Sequence, residues 1–391
     1  MIEWLRRNDP DQVFLRSPEG TWTYGATLTE VEKRLSDAPR LSIVTLRPES
    51  IFDLIAGVSS GGITAVGRRP ETTRAFDADL VVFTSGSTGA PKGVRLSRLN
   101  LTAAAAASSE HLGHGPKDDW LLAMPMHHVG GISIVVRQAY TGGSITMLPE
   151  FDPVAFAAAM KEQVTMVSVV PTMLARLLDY GPFSGLRAVL VGGGPIPPGL
   201  LEAGAQAGLP VLPTYGMTET FGQVATLRPG APLAYKAHPL PGIEFRTDGD
   251  GRIAVKGPQV SSGYAGELDR PDPWFVTNDL GEIDDEGALR LLGRADTVIV
   301  TGGENVNPER VESVLRAHTG VDEAVVVGVP DTEWGERVVC VYAGSADTGE
   351  LLEWVAGRLP AFMVPKRFVL VDSLPRTALG KPDRSAVGEL L

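Results

Sequence analysis

Between Asp79 and Thr214 short β-branched runs alternate with longer amphipathic ones, and this alternation narrows the available folds more than any other feature. Leu80 to Phe83, Trp120 to Met124, Ser144 to Met147, Met166 to Val169 and Ala188 to Val191 have the length and composition of buried strands. Arg98 to His111, Ile132 to Tyr140, Pro153 to Lys161, Pro171 to Leu178 and Pro198 to Ala207 are the intervening helices. Asp152-Pro153 offers an N-cap followed by a first-turn proline, which fixes one helix start. Strands that feed helices and then strands again close as βαβ units, so the pattern predicts mainly parallel sheet covered by helices.

After Thr214 the texture changes to paired strands. Ile243 to Arg246 returns through Asp248-Gly-Asp-Gly251 into Ile253 to Lys256, and Gly281 to Asp284 returns through Asp285-Glu-Gly287 into Leu289 to Leu292. Both are hairpin signals. From about Gly293 a last block has its own βαβ-like rhythm, with a helix from Pro308 to His318, strands from Ala324 to Val329 and Val338 to Tyr342, and a helix from Gly349 to Arg358. The fold expected is α/β: a large N-terminal domain, residues 1–292, of mainly parallel αβ layers with an antiparallel β portion, then a small α+β domain, residues 293–391. The first seventy residues are poorly periodic and read only as a partial α/β region.

At 391 residues and 43% hydrophobic content the chain can bury more than one core, which permits a cleft between domains. A net charge of -12 with no basic run argues against nucleic acid or an anionic membrane as a partner. No sustained apolar run follows Met1, so neither a signal peptide nor a membrane span is expected, and the expected location is the cytoplasm. Cys340, the single cysteine, sits among valines and reads as a packed thiol.

Thr84-Ser-Gly-Ser-Thr-Gly-Ala-Pro-Lys-Gly93 follows a strand and precedes a helical run. Its glycines and hydroxyls can wrap N–H and O–H donors around phosphate oxygens, with Lys92 as the point charge. It does not fit the Walker A spacing, since GxxxxGK[ST] cannot be laid on Gly86, Gly89 and Lys92. The string resembles instead the signature loop of the adenylate-forming superfamily, which includes acyl-CoA synthetases, peptide-synthetase adenylation domains and luciferases. Further motifs of that family follow in order. They are Met124-Pro-Met-His-His-Val-Gly-Gly131, Val191-Gly-Gly-Gly194, Tyr215-Gly-Met-Thr-Glu219, Thr277-Asn-Asp-Leu-Gly281, Gly293-Arg-Ala-Asp296, Thr301-Gly-Gly-Glu-Asn-Val306 and Pro375-Arg-Thr-Ala-Leu-Gly-Lys381.

The resemblance implies an ATP-dependent acid:CoA ligase that works through an acyl-adenylate, with Mg²⁺ as cofactor and ATP and CoA as co-substrates. Joining a carboxylate to the α-phosphate brings two anions together, so neutralisation and alignment are the protein's main tasks. By the same resemblance Lys381 bridges the acid and the α-phosphate. Thr84, Ser85, Gly86, Ser87, Thr88, Gly89 and Lys92 hold the departing pyrophosphate. Glu219 holds the metal and Thr218 touches the α-phosphate. Tyr215 stacks on adenine against Gly192, Gly193 and Gly194, and Gly216 lies between adenylate and acid. Asp279 accepts the ribose hydroxyls with Arg294 in support. Asp296 matches the hinge about which a mobile small domain rotates, and Gly302 and Gly303 match the loop that lets pantetheine pass.

His127 and His128 are adjacent, so in a strand they would point to opposite faces, and no cysteine or third histidine lies near to complete a zinc site. The family places His128 beside the acyl and thiol pocket, while His127 replaces an aromatic common at its position. The string Ser168-Val-Val-Pro-Thr-Met-Leu-Ala-Arg-Leu-Leu178, Gly302 to Val306 and Val327 to Gly335 look most like o-succinylbenzoate-CoA ligases of menaquinone synthesis. Met173 stands where glutamine is usual, and Asn278 replaces a glycine. A dicarboxylate needs a fixed positive partner for its unreactive end; Arg137 is the first candidate and Arg176 the second. A ligase for another aryl or medium-chain acid, a stand-alone adenylation enzyme loading a carrier protein, and a non-catalytic nucleotide binder are the alternatives. Lys381 and Glu219 together argue against the last. Assembly into a homo-oligomer is left open.

Overall fold

The structure is a computed structural model that describes residues 1–35, 42–43, 46–60, 64–66, 78–84, 92–197, 199–376 and 382–391. Its largest sheet has nine strands, and the central ones supply the parallel sheet that the alternation predicts. Val211–Met217, Ala188–Val191, Met166–Val169, Asp119–Leu122, Ser144–Met147 and Val13–Ser17 lie side by side, each parallel to its neighbour. Asp119–Leu122 and Ala188–Val191 are buried at every position, as strands covered by helices on both faces must be. The poorly periodic first region is thereby tied into the main sheet through Val13–Ser17. Tyr24, fully buried, pins it there by donating its hydroxyl to the carbonyls of Gln138 at 3.0 Å and Gly143 at 2.7 Å.

A second sheet carries the ends of the glycine-rich loop, and here the structure corrects the sequence reading. Leu80–Thr84 and Lys92–Leu96 pair antiparallel, with Thr84 opposite Lys92, so the loop closes a hairpin and does not enter a helix. The helix Arg98–Leu112 begins only after the second strand, where Ser97 and Asn100 form a reciprocal capping box over its first amides. The short second strand is hidden in the sequence by Lys92 and Arg95. Gly93 is needed there because a Cβ would lie 2.8 Å from the ring of Phe83 across the hairpin.

The two expected hairpins form a four-stranded antiparallel sheet of Glu244–Thr247, Arg252–Lys256, Phe275–Ile283 and Leu289–Arg294. Beyond it a third unit packs around Val311, Leu315, Val326, Cys340, Tyr342 and Leu351, a core that shares no residue with the cores of the main sheet. Its strands Val321–Asp331 and Gly335–Gly344 are longer than expected and form a direct antiparallel hairpin. The crossover to a parallel partner comes afterwards, through the helix Thr348–Ala356 to Arg367–Leu370. Burial pushes the Cys340 thiol well above its ordinary value, which leaves it packed and unreactive. Among the described residues no helix is long and apolar enough to cross a membrane.

Candidate active site

The strand Val211–Met217 outruns its parallel neighbour after Thr214 and turns through Thr218–Thr220 into the antiparallel strand Gly222–Thr226. This hairpin presents Tyr215, Gly216, Thr218 and Glu219 at the carboxyl end of the parallel sheet, where α/β folds place their ligands. Gly216 is obligatory, since a Cβ there would lie 2.1 Å from the carbonyl oxygen of Gly222. Gly192 approaches the same hairpin closely, a Cβ on it falling 2.6 Å from the Thr214 carbonyl oxygen. Gly193, with φ of 76°, and Gly194 continue outward as exposed backbone.

Tyr215 is buried and donates its hydroxyl to Oδ2 of Asp279 at 2.7 Å. Burial, and then the Asp279 carboxylate, push the phenol far above its ordinary value, so it stays a donor at every working pH. Arg294 lies opposite Asp279 across a strand pair and donates to its Oδ1 at 3.2 Å. The same guanidinium makes a two-point contact with Asp296, at 2.8 and 2.6 Å, and Asn278 also donates to Asp296, at 3.4 Å. Tyr215, Asp279, Arg294 and Asp296, singled out separately in the sequence, therefore form one connected chain.

Glu219 is half-buried and accepts a hydrogen bond from the hydroxyl of Tyr264 at 2.8 Å. Tyr264 escapes a reading of the sequence because Gly263–Tyr264 is a strand of only two residues, paired to Lys92–Leu96. Its signal is a glycine-tyrosine pair following a hairpin, too common to single out. Lys92 holds its ammonium 5.5 Å from the centre of the Tyr264 ring. Ser85, Gly86, Ser87, Thr88 and Gly89 lie outside the described residues, as does Lys381.

His127 and His128 are not in a strand. The strand Asp119–Leu122 has ended, and His128 is the N-cap of the helix Val129–Thr141. The two rings consequently do not diverge but lie 4.3 Å apart, tilted by 47°. Gly131 permits this turn, because a Cβ would meet the Pro125 carbonyl oxygen at 2.6 Å. Two turns further along that helix Arg137 is 4% exposed, and no carboxylate pairs with it among the described residues. Its guanidinium lies 5.2 Å from the centre of the Trp120 ring and reaches beneath Gly222 of the hairpin. Desolvation alone lowers it to about 10. Arg176 is exposed instead and stacks on Phe151, 5.2 Å from the ring centre, so the structure does not bring it to the cluster.

Gly302 and Gly303, with φ of 59° and 83°, form the two-residue turn between Ile299–Thr301 and Glu304–Val306. A Cβ at Gly302 would lie 2.9 Å from the Trp334 ring. The turn geometry by itself requires both glycines.

Residues 26–265 match the model of the AMP-binding enzyme family, and residues 310–381 match that of the AMP-binding enzyme C-terminal domain. The 2-succinylbenzoate–CoA ligase of Bacillus cytotoxicus is 40% identical over 341 residues, covering 81% of this chain and 70% of the relative. That of Bacillus licheniformis is 40% identical over 334 residues, covering 80% and 70%. Among solved structures, o-succinylbenzoate CoA synthetase of Bacillus subtilis with its acyl-adenylate intermediate superposes with a TM-score of 0.88 at 27% identity, covering 98% of this chain and 97% of that one. The same enzyme with ATP and magnesium gives 0.89 at 27% identity, covering 98% of each. ATP-bound MatB from Rhodopseudomonas palustris gives 0.87 at 26%, covering 100% and 98%.

Proposed function

The chain belongs to the AMP-binding enzyme family, and from that premise we propose that it ligates o-succinylbenzoate to coenzyme A through an acyl-adenylate. The observation that carries the choice of acid is Arg137. A guanidinium buried with no acidic neighbour among the described residues is costly to hold charged, and the natural relief is a bound anion. A monocarboxylic acid spends its only carboxylate on the α-phosphate, whereas a dicarboxylate has a second one to offer Arg137.

In the first half-reaction a carboxylate oxygen of the acid bonds to the α-phosphorus of ATP and pyrophosphate leaves. Tyr215 and the Gly192–Gly194 backbone hold adenine between them. Both oxygens of Asp279 are already oriented by Tyr215 and Arg294, and each keeps a lone pair for a ribose hydroxyl. Thr218 contacts the α-phosphate, the loop between Thr84 and Lys92 retains the pyrophosphate, and Lys381 neutralises the oxygens that meet at the reacting phosphorus.

The residues fit magnesium: one carboxylate, Glu219, stands beside the Tyr264 hydroxyl, and among the described residues no cluster of three acids, histidines or cysteines competes to bind a metal. Magnesium favours such sparse sites, taking one or two carboxylates with substrate phosphates and water. When bound it neutralises phosphate charge. In the second half-reaction the CoA sulfur bonds to the acyl carbon, its proton is lost and AMP leaves. Lys381 would be in the way of this step, and the matches of Asp296 to the family's hinge and of Gly302 and Gly303 to its pantetheine loop support a rotation of the small domain that removes it. His128, exposed at its helix start, borders the thiol's approach. The joint use of ATP and CoA supports a location in the cytoplasm.

The test is a panel of acids with purified protein, ATP and Mg²⁺, scored by AMP release with and without CoA. o-Succinylbenzoate should give AMP and the thioester, with thioester formation strictly dependent on CoA. Faster turnover of benzoates or medium-chain acids would overturn the assignment of the acid, and AMP release without any acid preference would overturn Arg137 as its reader.

A further inference from the structure

Glu219, on the turn after Val211–Met217, and Lys92, where the second strand of the phosphate hairpin begins, form no ion pair with each other among the described residues. One side chain lies against both. Tyr264 gives its hydroxyl to Oε1 of Glu219 at 2.8 Å while its ring lies 5.5 Å from the Lys92 ammonium. We propose that Tyr264 is a positioning residue for the metal carboxylate: its hydroxyl fixes one oxygen of Glu219, leaving the other for the cation, and its ring keeps Lys92 from closing on Glu219.

The backbone around Tyr264 is built to hold it there. Gly263 and Tyr264 pair with Arg95 and Val94 of the loop's second strand. The next amide, of Ala265, donates to the Gly93 carbonyl at 2.7 Å. On the other side the amide of Ser261 donates to the carbonyl of Glu219 at 2.7 Å, and the Ser261 hydroxyl donates to that of Arg95 at 2.6 Å. A short strap thus clamps the root of the phosphate loop to the turn that carries Glu219. A cavity of about 540 Å³ opens alongside, bordered by Glu219, Tyr264, Glu267 and Arg270. Glu219 accepts no other side-chain hydrogen bond among the described residues, so without the phenol nothing there would fix the orientation of its carboxylate. Partners of this kind around a metal ligand commonly change metal affinity 10–100-fold when removed.

The inference rests on the reading of Glu219 as the magnesium carboxylate, and the test separates the two. Mn²⁺ binding to the enzyme with ATP is titrated by electron paramagnetic resonance for wild type, Tyr264→Phe, Tyr264→Ala and Glu219→Gln. In parallel, pyrophosphate release is followed against Mg²⁺ concentration, and thioester formation is followed from supplied acyl-adenylate and CoA. Tyr264→Phe keeps the ring and loses only the hydroxyl. It should weaken Mn²⁺ about tenfold or more, recover pyrophosphate release at high Mg²⁺, and form thioester from acyl-adenylate as wild type does. Tyr264→Ala should not be recovered by Mg²⁺, because Lys92 can then pair with Glu219. Unchanged Mn²⁺ affinity in Tyr264→Phe overturns the proposal, as does an equal loss of both half-reactions or a Glu219→Gln enzyme that binds Mn²⁺ normally. Wild type that makes no acyl-adenylate would sink the ligase reading alone, since the Mn²⁺ comparison is still decided.

Discussion

Replacing Arg137 by methionine should cripple the enzyme against its dicarboxylate without unfolding it, a combination that few buried substitutions give. Moving this guanidinium from its ordinary value of 12.5 down to about 10 corresponds to roughly 3 kcal/mol, at 1.36 kcal/mol per unit, of destabilised charge. Methionine fills much of the same space against Trp120 without that charge. The unliganded variant should therefore melt no lower than wild type in a thermal scan. Binding moves the other way, because the second carboxylate of the acid would be buried without a partner, at a cost of about 3–5 kcal/mol. That predicts a fall of roughly a hundredfold to a few thousandfold in kcat/KM for o-succinylbenzoate, read by pyrophosphate release. The matched control is the monoester in which the carboxylate that does not react is masked. Arg137→Met should handle it at least as well as wild type does. Equal losses on diacid and monoester would refute the reasoning, and so would a variant that melts several degrees lower while keeping its activity on the diacid.

Lys381→Ala should nearly abolish pyrophosphate release while sparing thioester formation from supplied acyl-adenylate; loss of both would contradict an alternating small domain. Gly216→Ala forces a Cβ to within 2.1 Å of the Gly222 carbonyl oxygen, so the hairpin must open, costing about 1–3 kcal/mol, with a lower melting temperature and an ATP site lost out of proportion to it. His114 is buried beside Trp120, and desolvation, reinforced by Arg137, lowers it from 6.5 to about 4. Since the unfolded chain binds the proton first, stability is complete above pH 6.5 and falls as pH drops toward 4, by roughly 3 kcal/mol in all. Denaturant unfolding of wild type and His114→Gln across that range should show the slope in the former and its reduction in the latter.

The parallel core was legible because strands buried on both faces must be continuously apolar, and Ala188-Val-Leu-Val191 is an example. The second strand of the phosphate hairpin was not. Lys92-Gly-Val-Arg-Leu96 carries two charges in its short span, and Arg95 is tolerated only because Asp269, distant in sequence, pairs with it at 2.5 Å. No local pattern announces that partner. The histidine pair failed for a related reason: period-two reasoning was carried past Leu122, whereas Pro125 and the close approach of Gly131 turn the chain into a helix start. Tyr215, read separately from Asp279 and Arg294 in the sequence, meets both in the structure through the Asp279 carboxylate. Arg137 and Arg176 were indistinguishable as letters. Only burial separates a guanidinium beneath the hairpin, with no carboxylate partner among the described residues, from one stacked on Phe151 in solvent.

Arg294 is the point at which the proposed nucleotide site and the proposed hinge become one structure. Its contact to Asp279 is single and 3.2 Å long, whereas its grip on Asp296 is two-pronged at 2.8 and 2.6 Å. Charge-assisted, two-point pairs are the stronger kind, so a ribose taking the remaining lone pairs of Asp279 would share that carboxylate with the weaker contact and leave the stronger one intact. Nucleotide occupancy is then felt by a guanidinium held on the residue where the chain passes into the small unit. Tyr215 steadies the far side of the same carboxylate through its 2.7 Å bond, so the groups proposed to read adenine and ribose are already braced against each other. Binding ATP therefore needs little rearrangement of the large domain. In the proposed mechanism the motion of the second half-reaction falls on what lies beyond Asp296, where the small unit has a core of its own.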